Sequence, residues 1–152
     1  MPTVRLETLL RAPVEDCFDL SLSVDAHTAS MGPSGERAVA GVTSGLMGPG
    51  DTVTWRARHF GLRFRMTSRI TAWDRPWRFV DEQVSGPFRS WHHEHVFTPV
   101  PDGTLMVDVA RFQAPYGVLG RTAEALVLTR YLPLLLAQRN EWLARELEGP
   151  RS

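Results

Sequence analysis

Apolar and polar residues alternate along "TVRLETLLR" (3–11), with Val4, Leu6, Thr8 and Leu10 on one side and Arg5, Glu7 and Arg11 on the other. That period of two predicts a half-buried strand. The pattern changes at "APVEDCF" (12–18), where Val14, Cys17, Phe18 and Ser21 share one small-to-apolar face of a helix. Pro13 suits its first helical position, and Glu15 and Asp16 sit well near the positive end of the helix dipole. Asp25 is placed to cap a second short helix running to about Met31, with "GPSG" (32–35) as its stop.

A meander follows. "ERAVAGVTSG" (36–45) predicts a weak strand, and "GLMGPGD" (45–51) a glycine-rich loop partly apolar in character. "TVTWRARHF" and "LRFRMTSRITAW" predict strands joined by a tight turn at Gly61. In the second of these Leu62, Phe64, Met66, Ser68 and Ile70 point inward, and Arg63, Arg65, Thr67 and Arg69 outward. "RFVDEQV", "SWHHEHVFTPV" and "LMVDVARFQ" predict three more strands, separated by "SGPF" and "PDG". From about Val118 to Leu147 the period becomes helical, with Leu126, Leu135, Trp142 and Leu147 among the apolar positions and Pro133 placed to kink or divide the helix. Strand, two short helices, six strands and a long helix make a single α+β domain over residues 1–152. In it a curved antiparallel sheet of about seven strands wraps around the C-terminal helix.

This order, with "APVEDCF" near the start, resembles the START-like superfamily, also called SRPBCC, whose architecture is the helix-grip fold. Within it, "GDTVTW" (50–55), "FVDEQVSGPF" (79–88), "WHHEHVF" (91–97), "GTLMVD" (103–108) and "QRN" (138–140) look like the bacterial cyclase/dehydrase-like group. The resemblance covers essentially the whole chain. It implies a cavity between sheet and long helix that takes lipids, polyketides or other small apolar molecules. Some members of the superfamily are polyketide cyclases or dehydratases and others only bind, so fold is implied more firmly than chemistry.

Strand parity assigns faces to the three histidines of "SWHHEHVF" (90–97). Trp91, His93, His95 and Phe97 share one side, while Ser90, His92, Glu94 and Val96 share the other. The two aromatics mark the first side as inward. By the same count Phe79, Asp81 and Gln83 face inward, as do Val53, Trp55 and Ala57. On the last strand, the register that the resemblance implies turns Thr104, Met106, Asp108 and Phe112 inward. The expected ligand cavity is therefore lined by Trp55, Phe64, Met66, Phe79, Trp91, Phe97 and Phe112, with Asp81, Gln83, His93, His95 and Asp108 as polar groups.

Buried carboxylates need partners, and histidines on neighbouring strands are natural ones. Pairing of this kind lowers the aspartate's pKa and raises the histidine's. Four readings compete for these groups. They orient a small, largely apolar ligand, which is preferred; they form a structural network; His93, His95 and Asp81 act as an acid–base catalyst; or they hold zinc or iron. Metal is disfavoured because the spacing is no recognised ligand signature, and no cofactor is expected. Arg139 is a candidate partner for an inward carboxylate. An adaptor with a structural cavity and a protein partner on its outer surface is a further class.

Composition narrows the field. Residues of AVILMFWYC type make up 43% of the chain and charged residues 22%, typical of a soluble globular protein. Formal net charge is zero, so no bulk field recruits nucleic acid or an anionic membrane. Arg56, Arg58, Arg63, Arg65 and Arg69 cluster on one outer face, where Glu82 and Glu94 offset them. The longest apolar run near the C-terminus, "LPLLLA", is far too short for a membrane span, and with no leader pattern a cytoplasmic location is expected. All 17 basic residues are arginine, which excludes lysine Schiff-base chemistry. Cys17 is the single cysteine, which excludes an internal disulfide.

Overall fold

In a computed structural model, which describes residues 2–31, 35–123 and 127–148, the chain forms seven strands and four helices. These are β1 (Thr3–Leu10), α1 (Val14–Ser21), α2 (Val24–Ser30), β2 (Arg37–Gly41), β3 (Thr52–His59), β4 (Leu62–Asp74), β5 (Arg78–Ser85), β6 (Ser90–Val100), β7 (Gly103–Gln113), α3 (Gly117–Ala123) and α4 (Thr129–Glu148). The sheet order is β1-β7-β6-β5-β4-β3-β2, every neighbouring pair antiparallel. After β1 the chain crosses to the far edge through α1 and α2, then returns by hairpins until β7 pairs with β1.

The β3–β4 turn is made by Phe60 and Gly61, both in the left-handed region with φ of 53° and 73°. Two such residues match the right-handed twist of a two-residue hairpin. Phe60 is a costly occupant of that region, and its ring lies 4.6 Å from the Tyr131 ring of α4. His59 Nδ1 is 2.6 Å from the Tyr131 hydroxyl, so the hairpin tip is tied to the helix.

Three expectations about the helices are revised. Ser23, not Asp25, caps α2: its Oγ accepts the Ala26 N–H at 3.1 Å. Asp25 lies in the first turn, and its carboxylate accepts the Gly45 N–H. Pro13 stands just before α1 and its carbonyl accepts the Cys17 N–H. Of the expected long C-terminal helix, α3 to Ala123 and α4 from Thr129 are described, and Leu126 lies outside the described residues. Pro133 does not divide α4, which runs through it. Most of the "GPSG" stop also lies outside the described residues.

The glycine-rich loop is anchored rather than free. Val24 N–H donates to Gly45 O, Met47 N–H to Leu22 O, and Gly50 N–H to Ile70 O. These bonds hold it against the α1–α2 junction.

The core lies between the concave sheet face and α1, α2 and α4. One end is filled: Phe18 of α1 meets Trp73, Phe79 and Phe97 edge-on at 5.9, 5.5 and 5.6 Å. Leu10, Cys17, Met106 and Leu143 pack into the same cluster. A second cluster joins Val4, Ala110 and Phe112 to Leu132 and Leu136 of α4. Leu62 departs from the expected inward set, because the hairpin tip runs past the core and leaves it 62% exposed. No helix among the described residues is long and apolar enough to cross a membrane.

Phe18→Ala is expected to cost about 3–5 kcal/mol, because a ring with three aromatic neighbours leaves a cavity that the sheet cannot close. Leu134→Ala, at a position 71% exposed, should stay within about 0.5 kcal/mol of the parent. Urea unfolding midpoints check both.

Candidate functional site

The inner face of β7 alternates Thr104, Met106, Asp108, Ala110 and Phe112, all buried. Asp108 thus carries a carboxylate, fully enclosed, between a methionine and an alanine. A charge so placed must be paired and hydrogen-bonded, and four side chains do this. His93 Nε2 lies 2.9 Å from Oδ1 and Arg139 Nη2 2.8 Å from it. His95 Nδ1 is 3.0 Å from the same oxygen, an ion-pair contact rather than an aligned hydrogen bond. Asn140 Nδ2 donates to Oδ2 at 2.8 Å and also to Thr8 Oγ1.

Asp81 is the second carboxylate. Its Oδ2 lies 2.8 Å from His95 Nε2 and its Oδ1 accepts from Trp91 Nε1 at 3.3 Å. His95 therefore bridges the two aspartates. His93 runs beside it, with rings stacked 3.8 Å apart and Nδ1 3.9 Å from Asp81 Oδ2. On its other side His95 stacks on Phe79 at 4.1 Å. Asp81 is the outer end of this assembly: its side chain is 21% exposed, against 1% for His95 and none for Asp108.

The electrostatics follow from these contacts. Burial opposes ionisation of Asp108, but Arg139 and both histidines outweigh it and hold its pKa well below the usual carboxylate range. At Asp81 burial is likewise outweighed, by the His95 hydrogen bond and the His93, His95 and Arg139 charges, and the pKa falls to about 2. Burial disfavours a charged His95, yet the Asp108 and Asp81 carboxylates beside it raise its pKa. At His93 burial and the neighbouring His95 charge prevail, lowering it to about 4. Both carboxylates are thus held ionised beside the Arg139 guanidinium, with charge favoured on one imidazole and opposed on the other.

A neutral His93 that donates from Nε2 to Asp108 presents the lone pair of Nδ1. Asp81, His93 and His95 each offer a ligand atom within 4.8 Å of the others. An ion there would have to displace the His95–Asp81 hydrogen bond, so the three side chains are better matched to one another than to a metal.

The expected lining residues divide between the two ends of the concave face. Phe79, Phe97 and Phe112 are enclosed, at 2%, 2% and 0% exposure. Trp55, Phe64, Met66, Gln83 and Trp91 are half-buried. Trp55 lies against His27 of α2 at 4.3 Å, and Trp91 against Phe88 and Phe112. Gln83 is spent on the β5–β6 turn: its amide donates to Phe88 O and accepts from Phe88 N. Asn140 and Thr8 were not foreseen as members of the network. A signal existed for Thr8, which falls in the inward set Val4, Leu6, Thr8 and Leu10 and so faces the core.

No family model matches the chain, and no curated protein matches it. Solved structures do. TTHA0849 from Thermus thermophilus is 22% identical, with 93% of this chain and 97% of that one covered and a TM-score of 0.73. Protein CV1439 from Chromobacterium violaceum is 15% identical over 99% and 100%, with a TM-score of 0.74. Ginseng major latex-like protein 151 from Panax ginseng is 14% identical over 94% and 95%, at 0.66. These are likenesses of fold, and the chain has the START-like helix-grip fold.

Stability should peak near pH 6.5. His95, raised above the ordinary 6.5, stabilises fully below that value, and its contribution is lost as pH rises through the folded pKa. His93, lowered from 6.5 to about 4, loses its contribution as pH falls across that interval, a change on the order of 3 kcal/mol. His59, which burial also lowers, adds to the acid limb. Melting temperature against pH measures this, and His93→Gln should flatten the stretch between pH 6.5 and 4.

Asp108→Asn leaves the Arg139 and His95 charges without their shared partner and is expected to cost about 3–5 kcal/mol at pH 7. Purified protein is expected to hold no stoichiometric zinc or iron. Elemental analysis finding one equivalent, lost in His93→Ala, would reverse that expectation.

Proposed function

We propose that the protein binds a small, largely apolar molecule with one polar group, held between the concave sheet face and α4. One observation carries this reading: the sealing of the concave face is uneven. Phe18, Phe97 and Met106 close one end completely, whereas Trp55, Phe64 and Met66 face the same way and stay half-buried. Large aromatics that point inward without being covered are the wall of an apolar site. Asp81 stands between the two ends, with one side of its carboxylate on the buried network and some of its surface open. A donor on the ligand, a hydroxyl or an amine, would meet it there.

An entrance is available. Arg58, Phe60, Tyr131, Leu134 and Leu135 line a groove of about 430 Å³ between the β3–β4 tip and α4. Phe60 and Leu134 are 61% and 71% exposed, so an apolar molecule approaching the groove meets apolar surface.

Binding is favoured over cyclase or dehydratase chemistry by the state of the acidic groups. A general base works best with a pKa near the operating pH, and Asp81 at about 2 is a weak one. His93, the neutral base, is 3% exposed. The groups are suited to orienting a ligand rather than to moving its protons.

Native mass spectrometry of gently purified protein is expected to reveal a co-purifying molecule. Titration with N-phenyl-1-naphthylamine, an uncharged apolar fluorophore, should saturate at one equivalent and quench Trp55. Ala57→Trp, on the same inner face of β3, should block this uptake. Unchanged uptake in that variant would sink the proposed location. For the co-purifying ligand, Asp81→Asn or His93→Phe should weaken binding about 5- to 150-fold, with the apo melting temperature measured alongside. A fall in stability with affinity unchanged would assign these groups to the scaffold alone.

A further inference from the structure

The outer face of the sheet carries a second opening. The β5–β6 ladder runs from Arg78↔Val96 to Glu82↔His92 and pairs no residues beyond that, although β5 continues to Ser85 and β6 starts at Ser90. On its other edge β5 bulges, with Ser85 opposite Thr67 and Gln83 opposite Ser68, so that Val84 is an extra residue. The strands part here, and the gap is a groove of about 660 Å³.

Its rim is a row of side chains set by register. Arg69 of β4 is opposite Glu82 of β5, Glu82 opposite His92 of β6, and His92 opposite Arg111 of β7. All four point outward and line the groove, joined by Arg89 and Ser90. Three guanidiniums thus face the single carboxylate of Glu82. Among the described residues none of the three makes an ion pair; Glu94, the other acid on this face, is taken by Arg78. Ser90 Oγ and His92 Nδ1 are buried atoms without a hydrogen-bond partner, although they belong to half-buried side chains. Buried polar atoms normally have one.

We infer that this groove is a binding site for the phosphoryl group of a small organic phosphate monoester. A phosphomonoester carries about −1.5 to −2 charge at pH 7 with three strong acceptor oxygens, which matches the excess of guanidinium over carboxylate. Arginine forks bind such oxygens two at a time. Val84 and Trp91 give the groove an apolar wall, which an organic substituent covers and a bare ion does not. Solvated surface arginines would not need the preformed gap. Arg56, Arg63 and Arg65 lie farther along the same face and line neither this groove nor the one beside α4.

The test uses phenyl phosphate, monitored by amide chemical shifts of the full chain. Saturable shifts are expected at residues 82–92 and at Arg111. Arg69→Gln and Arg111→Gln should each weaken binding about tenfold with little change in melting temperature. Arg63→Gln, of the same charge on the same face, should change it less than about twofold. Benzoate, similar in ring and lower in charge, should bind at least about fivefold more weakly. Shifts that do not saturate, an equal loss in Arg63→Gln, or benzoate binding as tightly as phenyl phosphate would each overturn the assignment. The uncharged fluorophore of the concave site reports separately on that site, so either reading can fail without the other.

Discussion

The structure depends on keeping one ionised carboxylate, Asp108, at the centre of the layer between sheet and helix. Its partners come from three places in the chain: His93 and His95 on β6, Arg139 and Asn140 on α4, and through Asn140, Thr8 on β1. A charge in a low-dielectric interior is tolerable only when each partner is in place. Asp108 therefore sets how α4 lies along the sheet, in a way that apolar contacts, which tolerate sliding, do not.

The same constraint limits the chemistry. With Arg139 charged and both aspartates held ionised, the groups of the network are spent on one another. Little of it is free to exchange protons with a substrate. Asp81 is where the network reaches the half-open part of the concave face, so a ligand there would meet a carboxylate already held in position by His95 and Trp91. Preorganisation of this sort lowers the cost of binding a polar group inside an apolar site.

The two faces of the sheet divide the polar residues by sign and setting. Inside, carboxylates are satisfied by histidines and one arginine, and the groups are mutually paired. Outside, arginines exceed acids, and at the gap between β5 and β6 they remain unpaired. Parity along β6 produces both environments from one stretch: His93 and His95 enter the core network, and His92 just before them joins the basic row.

The sequence by itself determined the order of elements, the inward and outward faces of β3 to β6, and the enclosure of His93, His95, Phe79 and Phe97, whereas the face taken by Asp108 on β7 followed from the family resemblance. Alternation and helical period report local burial, and burial is what shapes those patterns. It also marked Arg139 as a candidate partner for an inward carboxylate. Local signals misled where two options lay a residue or two apart, as at Ser23 and Asp25, because which oxygen reaches the free N–H groups depends on the path of the loop before the helix. Only the tertiary structure decided that His95 bridges two aspartates, that His93 is pushed down while His95 is raised, and that Asn140 and Thr8 close the network. Parity says which face a side chain takes but not which atom on another strand or helix it meets. The gap at Gln83 and Trp91 was likewise invisible: it arises from one extra residue in β5, and register is a property of paired strands rather than of either strand alone.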